Sequence, residues 1–372
     1  MTEHYYALIL AGGGGTRLWP LSRAETPKQL LKLIDDRTMF QISVERIAPL
    51  FPPERIFIVT GAHYLETMRQ QAPQIPEQNF IIEPFGRDSG PAAALGVAVI
   101  HQHDPDAIIA QLAVDHYIGK QDVFLELLKS AYNTACKGYI VTLGIAPSFP
   151  ATGFGYIRQG DEIEQSNGFI AYHTRGFTEK PNEITATSFV ASGQYSWNSG
   201  MFIWKSSRAM EEFEHQRPEI FNILQQIQQS LGNLSTNGKP SLDKSAFQQE
   251  LSVLWEQMPK ISIDYAVMES AKQMAVIPAE IGWNDVGSWA SLFDVHRLDR
   301  FGNVFLGDHP DHVVLDTEKT LVFSERLVVT IGIDDLIVID TDDVLLICHR
   351  DRSQDVREVV NHLKANKQDR YL

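Results

Sequence analysis

Residues 8–33 read LILAGGGGTRLWPLSRAETPKQLLKL. An apolar run ends in the glycines Gly12 to Gly15, Thr16 and Arg17 follow at once, and Lys28 lies a short way downstream. The run Ala7–Ala11 shows no alternation of polar and apolar residues, which marks a strand buried on both faces. Glycines without Cβ atoms let several backbone N–H groups face one anion, and the two cations supply counter-charge. The stretch therefore reads as a phosphate cradle at the end of a first strand. It lacks the Gly-Lys-Ser/Thr of a Walker A loop, and Arg17 stands where the dinucleotide fingerprint needs its last glycine, which disfavours kinase and dehydrogenase chemistry. A glycine-rich turn that only joins strand to helix is the plainer alternative, and it leaves the glycines and both cations without a purpose.

Outward from this loop, short apolar runs alternate with helical patterns. Ala7–Ala11, Ile56–Thr60, Phe80–Glu83, Ala107–Val114 and Tyr139–Ile145 read as strands, and Met39–Ile47, Tyr64–Gln71, Pro91–His103 and Val123–Lys137 as helices. Alternation of this kind predicts an α/β fold, a Rossmann-like doubly wound sheet covered on both faces, in which ligands bind beyond the carboxyl ends of the strands. From Ala151 to Trp204 strands and turns dominate, Gly232–Ser241 reads as an exposed loop between helical stretches, and Met274–Ile277 reads as another strand. After about Phe301, short strands without helices recur: His312–Leu315, Leu321–Phe323, Leu327–Ile331, Leu336–Ile339 and Val344–Cys348. They predict a small β-rich, β-helix-like C-terminal domain. The expected division is 1–300, with a core 1–150 that carries the phosphate cradle and a second part 151–300, followed by 301–372.

Composition narrows the function. A net charge of −15 over 372 residues disfavours nucleic acid as a partner, so any phosphate site must be local. No apolar run approaches the ~20 residues that span a bilayer, and no leader pattern opens the chain, so no membrane partner is expected and the cytoplasm is the expected location. Cys136 and Cys348 lack metal-binding or redox spacing and read as buried free thiols of a reducing compartment.

The glycine loop running into Thr-Arg-Leu-Trp-Pro and then Pro27-Lys28 resembles the signature of the mannose-1-phosphate guanylyltransferases, within the sugar nucleotidyltransferase superfamily. Further stretches agree in order: EPFGRDSGPAAAL (Glu83–Leu95), AVDH (Ala113–His116), PATGFGYI (Pro150–Ile157), FTEKP (Phe177–Pro181), WNSGMF (Trp197–Phe202), SIDYAVME (Ser262–Glu269) and WNDVGSW (Trp283–Trp289). The chain departs from the family pattern at Asp88-Ser89-Gly90, where Asn-Thr-Ala is usual, and at Leu112 and Phe154.

The resemblance implies GTP and mannose 1-phosphate as substrates, GDP-mannose and pyrophosphate as products, and a place in polysaccharide biosynthesis. It implies nucleotide binding by Ala11, Gly12, Gly13, Gly14, Gly15, Thr16, Arg17 and Lys28, with Glu83 and Arg87 near the base. Asp115 and Asp285, each expected to follow a strand of one sheet, would hold Mg2+ between them; an Asp115 that only caps a turn is the alternative. His116 is read as orienting its loop or the nucleotide, not as a base. Lys180 would hold the sugar phosphate and Glu179 the sugar hydroxyls. Gly153 would let backbone approach the ring, and Asn198 offers a donor and an acceptor. Arg17, Lys28, Asp115 and Asp285 form the expected catalytic set. A homodimer is also implied, and because the chain stops at Leu372 no phosphomannose isomerase activity is expected. Competing readings are another sugar phosphate, such as a heptose or glucose phosphate, and a catalytically silent nucleotide-sugar sensor.

Overall fold

The structure, a computed structural model, describes residues 3–13, 15–233, 245–307 and 312–372. Gly14 and residues 234–241 of the expected loop lie outside them, while Gly232 and Asn233 still belong to the helix Pro218–Asn233. The chain forms two compact units. One comprises Met1–Gly12, Val44–Val114 and Lys120–Ile281; the other comprises Gly13–Ser43, Asp115–Gly119 and Gly282–Leu372.

The first unit is built on a sheet of nine strands: β1 (Tyr5–Ala11), β2 (Ile56–Gly61), β3 (Phe80–Glu83), β4 (Ile108–Ala113), β5 (Ile140–Ile145), β6 (Tyr156–Ser166), β7 (Phe169–Thr178), β8 (Tyr195–Lys205) and β9 (Met274–Pro278). Their spatial order is β3-β2-β1-β4-β8-β5-β9-β7-β6. Side chains alternate between the faces of a strand, so Tyr5 and Leu8 of β1 point to opposite sides. The Tyr5 hydroxyl donates to the Leu128 carbonyl (3.0 Å) in the helix Gln121–Ala135. Leu8 instead meets Gly96 of the helix Ser89–His103, so closely that a Cβ there would lie 2.5 Å from Leu8 Cδ1. Both faces are thus covered, which is why β1 can be apolar throughout.

β1 pairs in parallel with β2 on one side and β4 on the other, placing Leu10 beside both Val59 and Ala113. The winding reverses there, and the crevice at the carboxyl ends of β1 and β4 is where such sheets take ligands. The sheet is mixed, because β8 runs antiparallel to β4 and β5.

In the second unit, Val304–Leu306, Leu321–Phe323 and Leu336–Asp340 stack as parallel rungs, in register Val304↔Leu321↔Ile337. A second column pairs Val313–Leu315 with Val329–Ile331, also in parallel, giving a short β-helical coil. Leu345–His349 closes it antiparallel to Leu336–Asp340. The expectation of strands without helices needs correcting, because Val356–Ala365 is a helix. Val356 and Val360 lie one helical turn apart and are buried in the same core as Leu18, Trp19, Trp289, Leu321 and Ile337. Burial of each such side chain contributes about 1.5–3 kcal/mol. Indole hydrogen bonds fix the same packing: Trp289 Nε1 donates to the Trp19 carbonyl (2.9 Å) and Trp19 Nε1 to the Tyr371 carbonyl (2.6 Å).

The cysteines also differ from expectation. Both are free thiols, but Cys136 is exposed and Cys348 half-buried. Cys136 stands at the C-cap of Gln121–Ala135, where the helix no longer turns its residues toward the sheet.

Candidate active site

The second unit carries a polar cavity of ≈ 340 Å³ whose lining includes Arg17, Lys28, Asp115, His116, Asp285 and Arg357. Gly15, in the left-handed region (φ 56°), caps the short turn Thr16–Leu18. A Cβ on it would lie 2.5 Å from Lys28 Cβ, so this glycine lets Lys28 come up against the loop. Gly13 (φ 100°) has nothing within 4 Å of where its Cβ would be, leaving open space beside its backbone.

Lys28 is buried and makes two hydrogen bonds, from Nζ to Asp115 Oδ2 (2.7 Å) and to the Asp285 carbonyl (2.6 Å). Burial works to raise the Asp115 carboxyl, but the Lys28 ammonium and then His116 outweigh it, so the net shift is downward and the group is ionised at neutral pH. The expectation that Asp115 and Asp285 follow strands of one sheet is corrected. Asp115 comes after β4, whereas Asp285 follows Trp283–Asn284, which pairs antiparallel with Tyr117–Ile118 in a separate two-stranded ladder. The pairing Asn284↔Tyr117 is what brings the two aspartates to one cavity. Gly287 is required beside them, since a Cβ there would lie 2.5 Å from Asp285 Oδ2. His116 accepts from Trp283 Nε1 (3.2 Å) across the same ladder, in keeping with an orienting role.

In the first unit, Ala11 ends β1 and Gly12 follows it, and a Cβ on Gly12 would lie 3.2 Å from Glu83 Oε1. Glu83, at the end of β3, is 6% exposed, and burial pushes its carboxyl up to about 7. Arg87 does not join it. Its guanidinium donates to the Glu256 carbonyl (2.9 Å) and lies over the Phe85 ring (4.8 Å to the centroid), stapling its own loop in place. The family departures nearby have local reasons: Asp88 (φ 73°) caps the helix through Ser89 N (2.9 Å), and a Cβ at Gly90 would lie 2.6 Å from the Ile261 carbonyl oxygen.

The same unit assembles Glu179, Lys180 and Asn198. Lys180 (φ 46°) turns its ammonium onto Glu179. Asn198 is fixed from three sides: Nδ2 donates to Asp264 Oδ1 (2.8 Å), while Oδ1 accepts from Thr142 Oγ1 (3.1 Å) and Gly200 N (3.1 Å). Burial, then the charge of Glu179, raises the Asp264 carboxyl to about 6 despite the opposing pull of Lys180. Gly153 stands in open space; the glycine that Glu179 requires is Gly155, where a Cβ would collide with Glu179 Oε2. Asp264, Gly155 and Thr142 are not among the expected site residues. Asp264 lies inside the matched stretch SIDYAVME and opens the helical turn Asp264–Met268, so a search of every acid in the matched stretches would have found it.

Comparison with known proteins fits this arrangement. The family described as Nucleotidyl transferase matches residues 6–300. The mannose-1-phosphate guanylyltransferase of Escherichia coli (strain K12) is 38% identical over 366 residues, covering 97% of this chain and 74% of that protein. The chain belongs to the nucleotidyltransferase family, among the mannose-1-phosphate guanylyltransferases. The alginate biosynthesis protein AlgA of Pseudomonas aeruginosa is 39% identical over 363 residues, covering 96% of this chain and 72% of AlgA. A crystal structure described as mannose-1-phosphate geranyltransferase from Thermus thermophilus superposes with a TM-score of 0.84 at 35% identity, covering 97% of this chain and 99% of that one. Residues 310–363 match the family described as MannoseP isomerase/GMP-like beta-helix domain, which agrees with the coil of short rungs.

Members of this family generally use a divalent metal ion. The residues present fit one: two aspartates reach one cavity, and Asp115 is held ionised with an ammonium against it. Among the described residues no group of three His, Cys, Asp or Glu side chains is arranged to hold an ion, so substrate oxygens or water would have to complete the shell. No helix among the described residues is long and apolar enough to cross a membrane.

Proposed function

We propose that this chain makes GDP-mannose and pyrophosphate from GTP and α-D-mannose 1-phosphate. The observation that carries the reading is the cavity in which Arg17 and Lys28 stand with Asp115 and Asp285 beside the loop residues Gly15 and Thr16, on a chain related to enzymes named for this reaction. A phosphate oxygen of mannose 1-phosphate attacks the α-phosphorus of GTP in line. The new P–O bond forms as the bond from the α-phosphorus to the bridging oxygen breaks, and pyrophosphate leaves with that electron pair. The nucleophile is already an anion, so no general base is needed; the protein positions two polyanions and offsets their charge.

Ala11, Gly12, Gly13, Gly15 and Thr16 present backbone to the nucleotide, and Arg17 takes charge on its phosphates. Lys28 holds Asp115 ionised and orients it. Asp115 and Asp285 would hold Mg2+, which when bound offsets charge on the phosphate oxygens. The Glu83 carboxyl, unlike the Arg87 guanidinium, has no hydrogen bond to another described residue and is the group we assign to the guanine edge, as an acceptor for its N–H donors. Lys180 takes the phosphate of the sugar, Glu179 its hydroxyls, and Asn198 is held ready by Asp264 and Thr142. Residues 1–300 form the transferase in this reading and 301–372 the β-helical part, in a cytoplasmic homodimer. Assay of a panel of sugar phosphates against the four nucleoside triphosphates tests it. Mannose 1-phosphate with GTP should dominate; preference for a glucose or heptose phosphate, or binding of GDP-mannose without turnover, would overturn it.

A further inference from the structure

The cavity holds three long cationic side chains, Arg17, Lys28 and Arg357, and they are not equivalent. Lys28 is already committed, since its ammonium is bonded to Asp115 and to the Asp285 carbonyl. Among the described residues, the guanidiniums of Arg17 and Arg357 have no hydrogen bond or ion pair. Arg357 comes from the C-terminal helix Val356–Ala365, whose Val356 and Val360 are buried in the core that also holds Leu18 and Trp19. That helix packs directly on the turn Thr16–Leu18, so the arginine's backbone is fixed relative to Arg17. A solvated arginine on a helix needs no explanation by itself. One held beside a second unpaired arginine, in a polar cavity with two aspartates, is placed for an anion carrying several charges.

We propose that Arg357 is a second phosphate-binding arginine, pairing with Arg17 on the β- and γ-phosphates that leave as pyrophosphate. The inference rests on the reading of this cavity as the triphosphate site. It deepens that reading by making the C-terminal helix part of the substrate-binding surface. Together the two guanidiniums offset the charge that builds on the leaving group while Lys28 serves Asp115.

The test uses Arg357→Gln and Arg357→Lys in the full chain. Titration calorimetry with inorganic pyrophosphate and Mg2+ should show affinity about tenfold weaker in Arg357→Gln, the scale of one charged hydrogen bond, with Arg357→Lys in between. The KM for GTP should rise by a similar factor while that for mannose 1-phosphate stays within about twofold, and the unfolding midpoint should not move. Unchanged pyrophosphate affinity, or equal losses for pyrophosphate and mannose 1-phosphate, would overturn the proposal. Pyrophosphate binding does not depend on which sugar is used, so a failure of the mannose assignment would leave this result standing.

Discussion

The Lys28 ammonium lies 2.7 Å from Asp115 Oδ2, and that contact holds the carboxyl below its ordinary range against the opposing effect of burial. A carboxyl depressed in the folded state stabilises that state above the ordinary carboxylate pKa, and the contribution is lost as pH falls through the depressed value. In Lys28→Met the ammonium is gone while burial remains, so the carboxyl moves up. The acid limb of kcat/KM for GTP should shift to higher pH, with activity at neutral pH reduced on the order of a hundredfold. A lower rate with an unmoved acid limb would mean that Lys28 acts on substrate rather than through Asp115.

Glu83 titrates the other way. Its folded-state pKa of about 7 lies above the unfolded value of 4.5, so the folded protein is penalised as pH rises through that window and is not penalised below it. Glu83→Gln should therefore gain stability over the parent at pH 8, by at most about 3 kcal/mol, and little at pH 5. Urea unfolding at the two pH values measures this. The same substitution should raise the KM for GTP, because one of the two carboxylate acceptors for guanine N–H groups becomes an N–H2 donor.

On the sugar side, Lys180→Ala should raise the KM for mannose 1-phosphate far more than that for GTP. The substitution also frees Glu179 from its partner and removes the charge that restrains the Asp264 carboxyl, which should move up from about 6. Gly155→Ala should reproduce the KM pattern with Lys180 intact, since the new methyl collides with Glu179 Oε2. Gly153→Ala, whose methyl would take up the open space left for the ring, should raise the KM for mannose 1-phosphate and leave that for GTP unchanged. Steady-state kinetics of the three variants decide the matter, and a larger effect on GTP would reverse the division of roles.

Much of this fold is visible in local sequence. Ala7–Ala11 declares a strand buried on both faces, and the four glycines declare the turn after it, because both are consequences of neighbouring residues alone. The helix Val356–Ala365 escapes such a reading because its inward positions, Val356 and Val360, are few and follow a run of short strands. The chemistry is legible as residue types and the assembly is not. Nothing near Asp285 announces that Asn284 pairs with Tyr117, and nothing near Arg357 announces Arg17. Such links are made by long-range packing, Trp19 against Trp289 and Tyr371, which no window of sequence contains.

Asp285→Ala should fold like the parent, since Ala keeps the carbonyl that Lys28 bonds, and Asp115→Ala should fold with lower stability, because it leaves the buried Lys28 ammonium without its carboxylate. Each should lose about 3–4 kcal/mol of transition-state stabilisation, on the order of a hundredfold to a thousandfold in rate. The double variant should be hardly slower than either single one, as for residues acting as one unit. Both singles should need more Mg2+ for half-maximal rate. Multiplicative losses with an unchanged magnesium requirement would show that the two carboxylates act separately.

The transfer itself is tested most directly by following label from GTP in the presence of mannose 1-phosphate and Mg2+. Attack at the α-phosphorus predicts that label from the α-position appears in GDP-mannose and label from the γ-position in pyrophosphate, in equal amounts. Release of γ-label as orthophosphate, its transfer to the sugar, or no turnover of mannose 1-phosphate would contradict the account.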